Sequence, residues 1–214
     1  MFNEQRLRSL PFVLILRGFE RNQVGPIVTA CRRGGLRNLE ITMNSKQPED
    51  QIKEAIQHAG AEMNIGAGTV TGRKTLEAAR TAGASFIVTP NLKLEIVHAC
   101  RVEHLPIFPG AMTPTEIHTA WKAGARMVKI FPSNLLGPQF IKALRGPFPD
   151  IPLMPTGGIN QDTISDYLKA GASGFGIGSP LLNPERIRNK DWNWITDQVA
   201  AFREIYEAHQ KSRD

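Results

Sequence analysis

Residues 123–130 read Ala123-Gly124-Ala125-Arg126-Met127-Val128-Lys129-Ile130. A glycine between small residues suits the end of a helix, because it takes the left-handed backbone conformation without a steric penalty. A short apolar strand follows at once. The phrase recurs as Arg33-Gly34-Gly35-Leu36-Arg37-Asn38-Leu39-Glu40-Ile41 and as Ala82-Gly83-Ala84-Ser85-Phe86-Ile87-Val88. It returns a fourth time as Ala170-Gly171-Ala172-Ser173-Gly174-Phe175-Gly176-Ile177. A repeated helix–glycine–strand unit signals a repeat architecture of the α/β class.

Working outward from these four phrases, the pattern predicts eight strands, near residues 12–17, 39–42, 63–67, 86–89, 106–108, 127–131, 153–155 and 174–177. Helices are predicted between them at about 23–33, 49–58, 73–81, 93–103, 114–122, 138–144 and 163–169, with a last helix at about 192–209. Short apolar strands alternating with amphipathic helices read as parallel βαβ units. Eight such units predict an α/β fold, a single (β/α)8 TIM barrel over residues 1–214. The alternative is a doubly wound open sheet, ranked lower because no Gly-rich dinucleotide fingerprint follows the first strand. No linker or low-complexity stretch marks a second domain.

A chain of 214 residues, 41% hydrophobic and 21% charged, is neither disordered nor fibrous and can bury a core without disulfides. No apolar run approaches the ~18 residues needed to cross a bilayer; the run that begins at Phe12 stops at Arg17. No signal-peptide pattern opens the chain, so a cytoplasmic location without a membrane partner is expected. The net charge of +6 is scattered, densest at Arg32-Arg33 and residues 186–190, with no aromatic-interleaved RNA motif. Most of it reads as solvated surface. No nucleic-acid partner is expected; an anionic small molecule fits the charge better. Cys31 and Cys100 have no CxxC or zinc spacing and read as packed thiols. His58, His98, His104, His118 and His209 fall on predicted helices or their ends, without HxH or HExxH spacing, so no metal site is expected.

Three charged residues break apolar strands. Side chains alternate along a strand, and barrel active sites lie at the C-terminal strand ends. On the second strand Leu39 and Ile41 suit the helix layer, so Glu40 and Thr42 point into the barrel. On the sixth, Val128 and Ile130 suit the helix layer, so Lys129 points inward. Arg17 ends the first strand at the mouth. An inward Glu and Lys are costly unless paired or used. One reading is a buried structural ion pair. The other is reactive: burial disfavours the charged form of Lys129, and a neutral amine attacks carbonyls, with the carboxyl as general acid/base.

Two glycine-rich tips support the reactive reading. Pro155-Thr156-Gly157-Gly158-Ile159-Asn160 follows strand seven and Gly176-Ile177-Gly178-Ser179 follows strand eight. Barrels often bind phosphate at these two positions through exposed backbone N–H groups. Gly66-Ala67-Gly68-Thr69 closes strand three, where small residues permit close approach. Thr69 could donate to a carboxylate or simply cap a helix. Thr89-Pro90-Asn91 and Phe108-Pro109-Gly110 end strands four and five and shape the mouth.

Taken together, several segments resemble the 2-keto-3-deoxy-6-phosphogluconate/4-hydroxy-2-oxoglutarate aldolase family. They are Leu39-Glu40-Ile41-Thr42-Met43-Asn44-Ser45, Gly66-Ala67-Gly68-Thr69-Val70, Val88-Thr89-Pro90-Asn91, Val128-Lys129-Ile130-Phe131-Pro132-Ser133, and the two glycine tips. The likeness runs from about Leu10 to Tyr206. It implies a class I, metal- and cofactor-independent aldolase on a (β/α)8 barrel, usually a homotrimer. The implied substrate is a phosphorylated keto acid, cleaved to pyruvate and glyceraldehyde 3-phosphate; 4-hydroxy-2-oxoglutarate is a further one. By the resemblance, Lys129 matches the Schiff-base lysine and Glu40 the acid/base that acts through a bound water. Thr69 matches the group that holds the pyruvyl carboxylate. Gly158, Gly178 and Ser179 match phosphate-binding positions, and Pro90 joins the substrate-binding set. One departure stands out: the phosphogluconate branch carries an Arg where this chain has Asn44. With Arg17 and the 133–144 segment, the pattern looks more like the 2-keto-3-deoxy-6-phosphogalactonate branch, where an arginine at the Arg17 position contacts substrate. Two rival readings remain: a phosphate-binding barrel isomerase or synthase, and a non-catalytic sugar-phosphate-binding barrel.

Overall fold

Gly35 and Gly124 take φ of 101° and 109°, closing their helices in the left-handed conformation and turning the chain into a strand. Gly83 and Gly171, in the other two phrases, also have positive φ. A computed structural model describes residues 1–212. In chain order it runs α1 (Glu4–Ser9), β1 (Phe12–Leu16), α2 (Arg21–Gly34), β2 (Asn38–Thr42), α3 (Pro48–Ala59), β3 (Asn64–Gly68), α4 (Arg73–Thr81), β4 (Ile87–Val88) and α5 (Leu94–Val102). It continues with β5 (Ile107–Phe108), β6 (Gly110–Ala111), α6 (Pro114–Ala123), β7 (Val128–Ile130), α7 (Ser133–Leu144), β8 (Leu153–Pro155), α8 (Ile164–Lys169) and β9 (Phe175–Ile177). A 3-10 turn (Ser179–Leu181), α9 (Pro184–Arg188) and α10 (Trp192–Lys211) follow.

The strands form curled parallel sheets in the orders β5-β4-β3-β2-β1-β9 and β6-β7-β8. The expected fifth strand near 106–108 is β5, and beyond Pro109, which has no N–H to give a ladder, the chain pairs again as β6. On one side Ile107 and Phe108 pair with β4; on the other Gly110 and Ala111 pair with β7. A parallel bridge, Thr156 to Gly176, links the end of β8 to β9. The expected helix at 138–144 is the second half of α7, which is kinked at Gly137 (φ 68°) just before Pro138.

Side-chain alternation sorts the core into two clusters. Phe12, Leu14, Leu16, Leu39, Ile41, Val128 and Ile130 pack toward the helices in the larger cluster. Val13, Phe86, Val88, Phe108, Met127 and Met154 meet on the concave face, with Leu7 of α1. Residues from β1, β4, β5 and β8 touch in this small cluster because the sheet curls around it. The helix α1 was not expected from the sequence. It is anchored by its cap: Asn3 N–H donates to Asn64 Oδ1 at 2.8 Å, and the Asn64 amide returns a bond to the Asn3 carbonyl at 2.9 Å. At the other end, α10 lies on α2, where Thr196 Oγ1 donates to the Ala30 carbonyl at 3.1 Å. Trp192 and Trp194 are partly buried against the large core, in line with an anchoring role. Among the described residues no helix is long and apolar enough to cross a membrane.

Candidate active site

The concave face changes character along the strands. Its lower layer is the cluster of Phe, Met and Val just described. Above it stand Glu40 on β2 and Lys129 on β7, both in β-strands whose flanking residues are fully buried. Glu40 is 1% exposed and Lys129 5%. The alternation that sends Leu39 and Ile41 outward forces Glu40 inward, and Val128 and Ile130 do the same for Lys129.

Among the described residues neither Glu40 oxygen has a hydrogen-bond partner. A buried carboxyl without donors is a sign of use, because structural carboxylates are normally satisfied. Burial pushes the Glu40 pKa up; the positive charges of Lys129 and Arg17 oppose this. Burial pushes the Lys129 pKa down, Glu40 opposes the shift, and Arg17 adds to it. Lys129 Nζ sits 5.0 Å from the centroid of the Phe131 ring. Gly68, at the end of β3, is what admits the carboxyl: a Cβ there would lie 2.5 Å from the Glu40 carboxyl carbon.

Arg17 follows β1 and reaches across to β3, donating from Nη2 to Thr69 Oγ1 at 3.3 Å. Thr69 holds a left-handed φ of 55°. A cavity of about 390 Å3 opens beside these groups, lined among others by Lys129, Phe131, Gly157, Gly158, Gly178 and Ser179. Gly157 and Gly158 both have positive φ (95° and 76°). A Cβ on Gly158 would come within 2.7 Å of Asn134 Cβ, so glycine is needed for space as well.

The structure thus brings Lys129, Arg17, Gly158, Gly178 and Ser179 to one cavity. Glu40 lies buried, charge-coupled to Lys129. Thr69 joins through Arg17 rather than by lining the cavity. Pro90 is not in the lining; its backbone carbonyl packs against Gly110, where a Cβ would collide with it. Thr156, Phe131 and Phe19 line the cavity without having been singled out. Thr156 could have been found: it is two residues past the inward Met154, so alternation turns it inward. Phe19 could not, since loop residues carry no such period. Cys31 and Cys100 are buried, and burial raises both thiol pKa values to about 12, which leaves them inert.

This arrangement presents an amine that burial pushes toward neutrality, a buried carboxyl, an arginine and two glycine tips around one cavity. It can form an imine with a carbonyl, move a proton beside it, and hold an anion at each end of the ligand. Comparison with known proteins agrees. The family model for KDPG and KHG aldolase matches residues 3–198. The chain is 35% identical over 199 residues to the 2-dehydro-3-deoxy-6-phosphogalactonate aldolase of Escherichia coli (strain K12), covering 92% of this chain and 95% of that protein. It is 35% identical over 206 residues to the 2-dehydro-3-deoxy-phosphogluconate aldolase of Pseudomonas aeruginosa, covering 95% and 91%. The crystal structure of KDPG aldolase from Legionella pneumophila, with pyruvate captured as a covalent carbinolamine intermediate, superposes with a TM-score of 0.84 at 28% identity, covering 92% of this chain and 95% of that one.

Proposed function

Because the chain belongs to the KDPG and KHG aldolase family, we propose that it is a class I aldolase that cleaves a 2-keto-3-deoxy-6-phospho sugar acid to pyruvate and glyceraldehyde 3-phosphate. One observation carries the reading: Lys129 and the partner-free Glu40 are buried together on the concave face, each pushed by burial toward its neutral form.

The neutral amine of Lys129 adds to the C2 carbonyl, giving a carbinolamine. Loss of water gives the iminium, which serves as the electron sink. Glu40, through a water, takes the proton of the C4 hydroxyl. The C3–C4 bond breaks, its electrons pass to the iminium as an enamine, and glyceraldehyde 3-phosphate departs. The enamine is protonated at C3, and water hydrolyses the resulting imine to pyruvate and the free amine. Lys129 provides the electron sink itself, so no metal or cofactor enters the scheme. Arg17, held by Thr69, takes the substrate carboxylate, and Gly158, Gly178 and Ser179 take the phosphate. The net charge of +6 favours gathering a dianionic substrate.

Asn44 and Arg17 favour the phosphogalactonate epimer, and cleavage of the two epimers side by side tests that. We also read the described residues, 1–212, as one closed (β/α)8 barrel, the last two residues of the expected 1–214 domain lying outside them. The Thr156–Gly176 bridge and the continuous run through Pro109 support closure. A homotrimer is the expected assembly. Leu135 on α7, 71% exposed, is an apolar side chain that a subunit contact would cover. Light scattering at three chain masses would support it and a monomer mass would refute it.

Mass spectrometry after incubation with pyruvate and borohydride tests the chemistry. A reduced pyruvyl adduct on the peptide containing Lys129, absent in Lys129→Ala along with turnover, is the expected result. A Lys129→Ala protein that still turns over would overturn it. The same assay separates the rivals: neither an acid–base isomerase nor a silent barrel forms the adduct.

A further inference from the structure

The β1–α2 and β2–α3 loops are joined at three successive residues. Gly18 N–H donates to Ser45 Oγ at 3.1 Å. The Gln51 side-chain amide donates to the Phe19 carbonyl and to the Lys46 carbonyl, each at 2.8 Å. Lys46 Nζ stands 3.5 Å from a Glu20 carboxylate oxygen. Ser45 is itself tied to β2: its hydroxyl is 2.9 Å from Thr42 Oγ1, and its N–H donates to the Thr42 carbonyl at 3.0 Å. Thr42 is fully buried on the strand that carries Glu40.

Two features separate this seam from ordinary loop packing. Gln51 is 1% exposed with its Oε1 unpartnered, although glutamine usually keeps to the surface. The chain therefore buries this amide for the two bonds it donates. Gly18, by contrast, is exposed at φ 74°, with nothing within 4 Å of a Cβ position. Packing does not hold it, so its place depends on its hydrogen bond. Arg17 and Phe19, on either side of Gly18, both line the cavity.

We propose that Ser45 and Gln51 are positioning residues. They fix the backbone of Gly18 and Phe19 to the end of β2, and so hold Arg17 against Thr69 in line with Lys129. The inference rests on the reading of Arg17 as the contact to the substrate carboxylate. Because that contact is made in ground and transition states alike, its loss falls on KM rather than kcat.

Steady-state cleavage of the phosphorylated keto acid by the full-length enzyme tests this. Ser45→Ala should raise KM about three- to tenfold, the factor set by one ordinary hydrogen bond, with kcat near the parental value. Ser45→Thr, which keeps the hydroxyl, should restore KM. Gln51→Leu should match Ser45→Ala. In an Arg17→Met background, Ser45→Ala should add nothing, because its effect passes through Arg17. Parental KM in Ser45→Ala, a fall in kcat alone, or additive effects in the double variant would overturn the proposal. Should Gln51→Leu not fold, Ser45→Ala decides with its thermal midpoint read beside KM, since it frees an exposed Gly18 N–H that water can satisfy and also takes the Ser45 partner from the buried Thr42 hydroxyl. If Arg17→Met itself leaves KM unchanged, the carboxylate reading fails and the positioning role falls with it. If Arg17→Met raises KM and Ser45→Ala does not, the positioning role alone fails.

Discussion

Replacing Gly68 by alanine should disable Glu40 while leaving the fold and the Schiff base intact. The new Cβ would lie 2.5 Å from the Glu40 carboxyl carbon. Ordinary van der Waals contact begins near 3.4 Å, so the carboxyl must retreat by about 1 Å, a displacement worth ~10²-fold in rate when a reacting group is misplaced. The backbone of Gly68 is not the obstacle, because it lies in β3 and is not among the positive-φ glycines. The atom that must move is the end of a side chain with no hydrogen bonds to break. Stability should therefore change little. Gly66, two residues earlier on the same face, gives the contrast: its Cβ would meet three atoms of the buried Phe86 ring at 2.5–2.6 Å. That substitution overpacks a rigid core and should cost about 1–3 kcal/mol. The assay is kcat for cleavage, read beside borohydride trapping of pyruvate and the thermal midpoint. For Gly68→Ala we expect kcat to fall ~10²-fold, with trapping and midpoint close to parental. A folded Gly68→Ala enzyme with parental kcat would refute the placement of Glu40 as the proton-moving group.

Other outcomes follow from the charges. Glu40→Gln should stabilise the protein at neutral pH. Burial raises the folded-state pKa of Glu40, so ionising it costs stability that grows as pH rises above the unfolded value of 4.5. The gap between variant and parent should close below that pH, and a gain of ~1 kcal/mol would read as about 2–4 °C in Tm; a gap independent of pH would contradict the assignment. Arg17→Met removes a charge that helps hold down the Lys129 pKa, so the pH midpoint of borohydride trapping at saturating pyruvate should move upward; an unmoved midpoint would mean the charge is screened. Cys31 and Cys100, with pKa raised to about 12 by burial, should resist iodoacetamide at pH 8 in the native state, and rapid alkylation of either would show that its cover opens.

The buried pair Lys129 and Glu40 was legible because both residues break a pattern. A lysine between Val128 and Ile130, and a glutamate between Leu39 and Ile41, interrupt apolar strands, and alternation fixes the face they share. The helix-closing glycines were legible for a local reason, the need for positive φ. What stayed hidden depends on distant partners. The six-residue α1 is too short to show a period, and it is held by Asn64, 61 residues from its cap. The resumed pairing beyond Pro109 shows only once strands on both sides are in place. In the sequence Gly68 reads as room for a ligand or backbone, while the group it admits is Glu40 from the neighbouring strand. Gln51 reads as a polar residue on a helix, and only the loops above it reveal why it is buried.

The buried pair raises a problem of protonation that the sequence alone does not solve. Burial drives the amine and the carboxyl both toward neutrality, while their mutual attraction favours the ion pair. Neither outcome suits the reaction. A protonated amine cannot add to a carbonyl, and a protonated carboxyl cannot accept a proton. Arg17 bears on this conflict, because its charge lowers both pKa values at once, although burial outweighs it and leaves Glu40 raised. It opposes the ammonium and supports the carboxylate, favouring the one state with both a nucleophile and a base. The two groups titrate as a coupled pair, so a single charge at the rim can select among their states. When an anionic substrate pairs with that arginine, its hold on both groups weakens and both pKa values rise. The amine is by then committed to the carbonyl, and the carboxyl holds the proton it has taken more firmly, which keeps that proton at hand for the enamine.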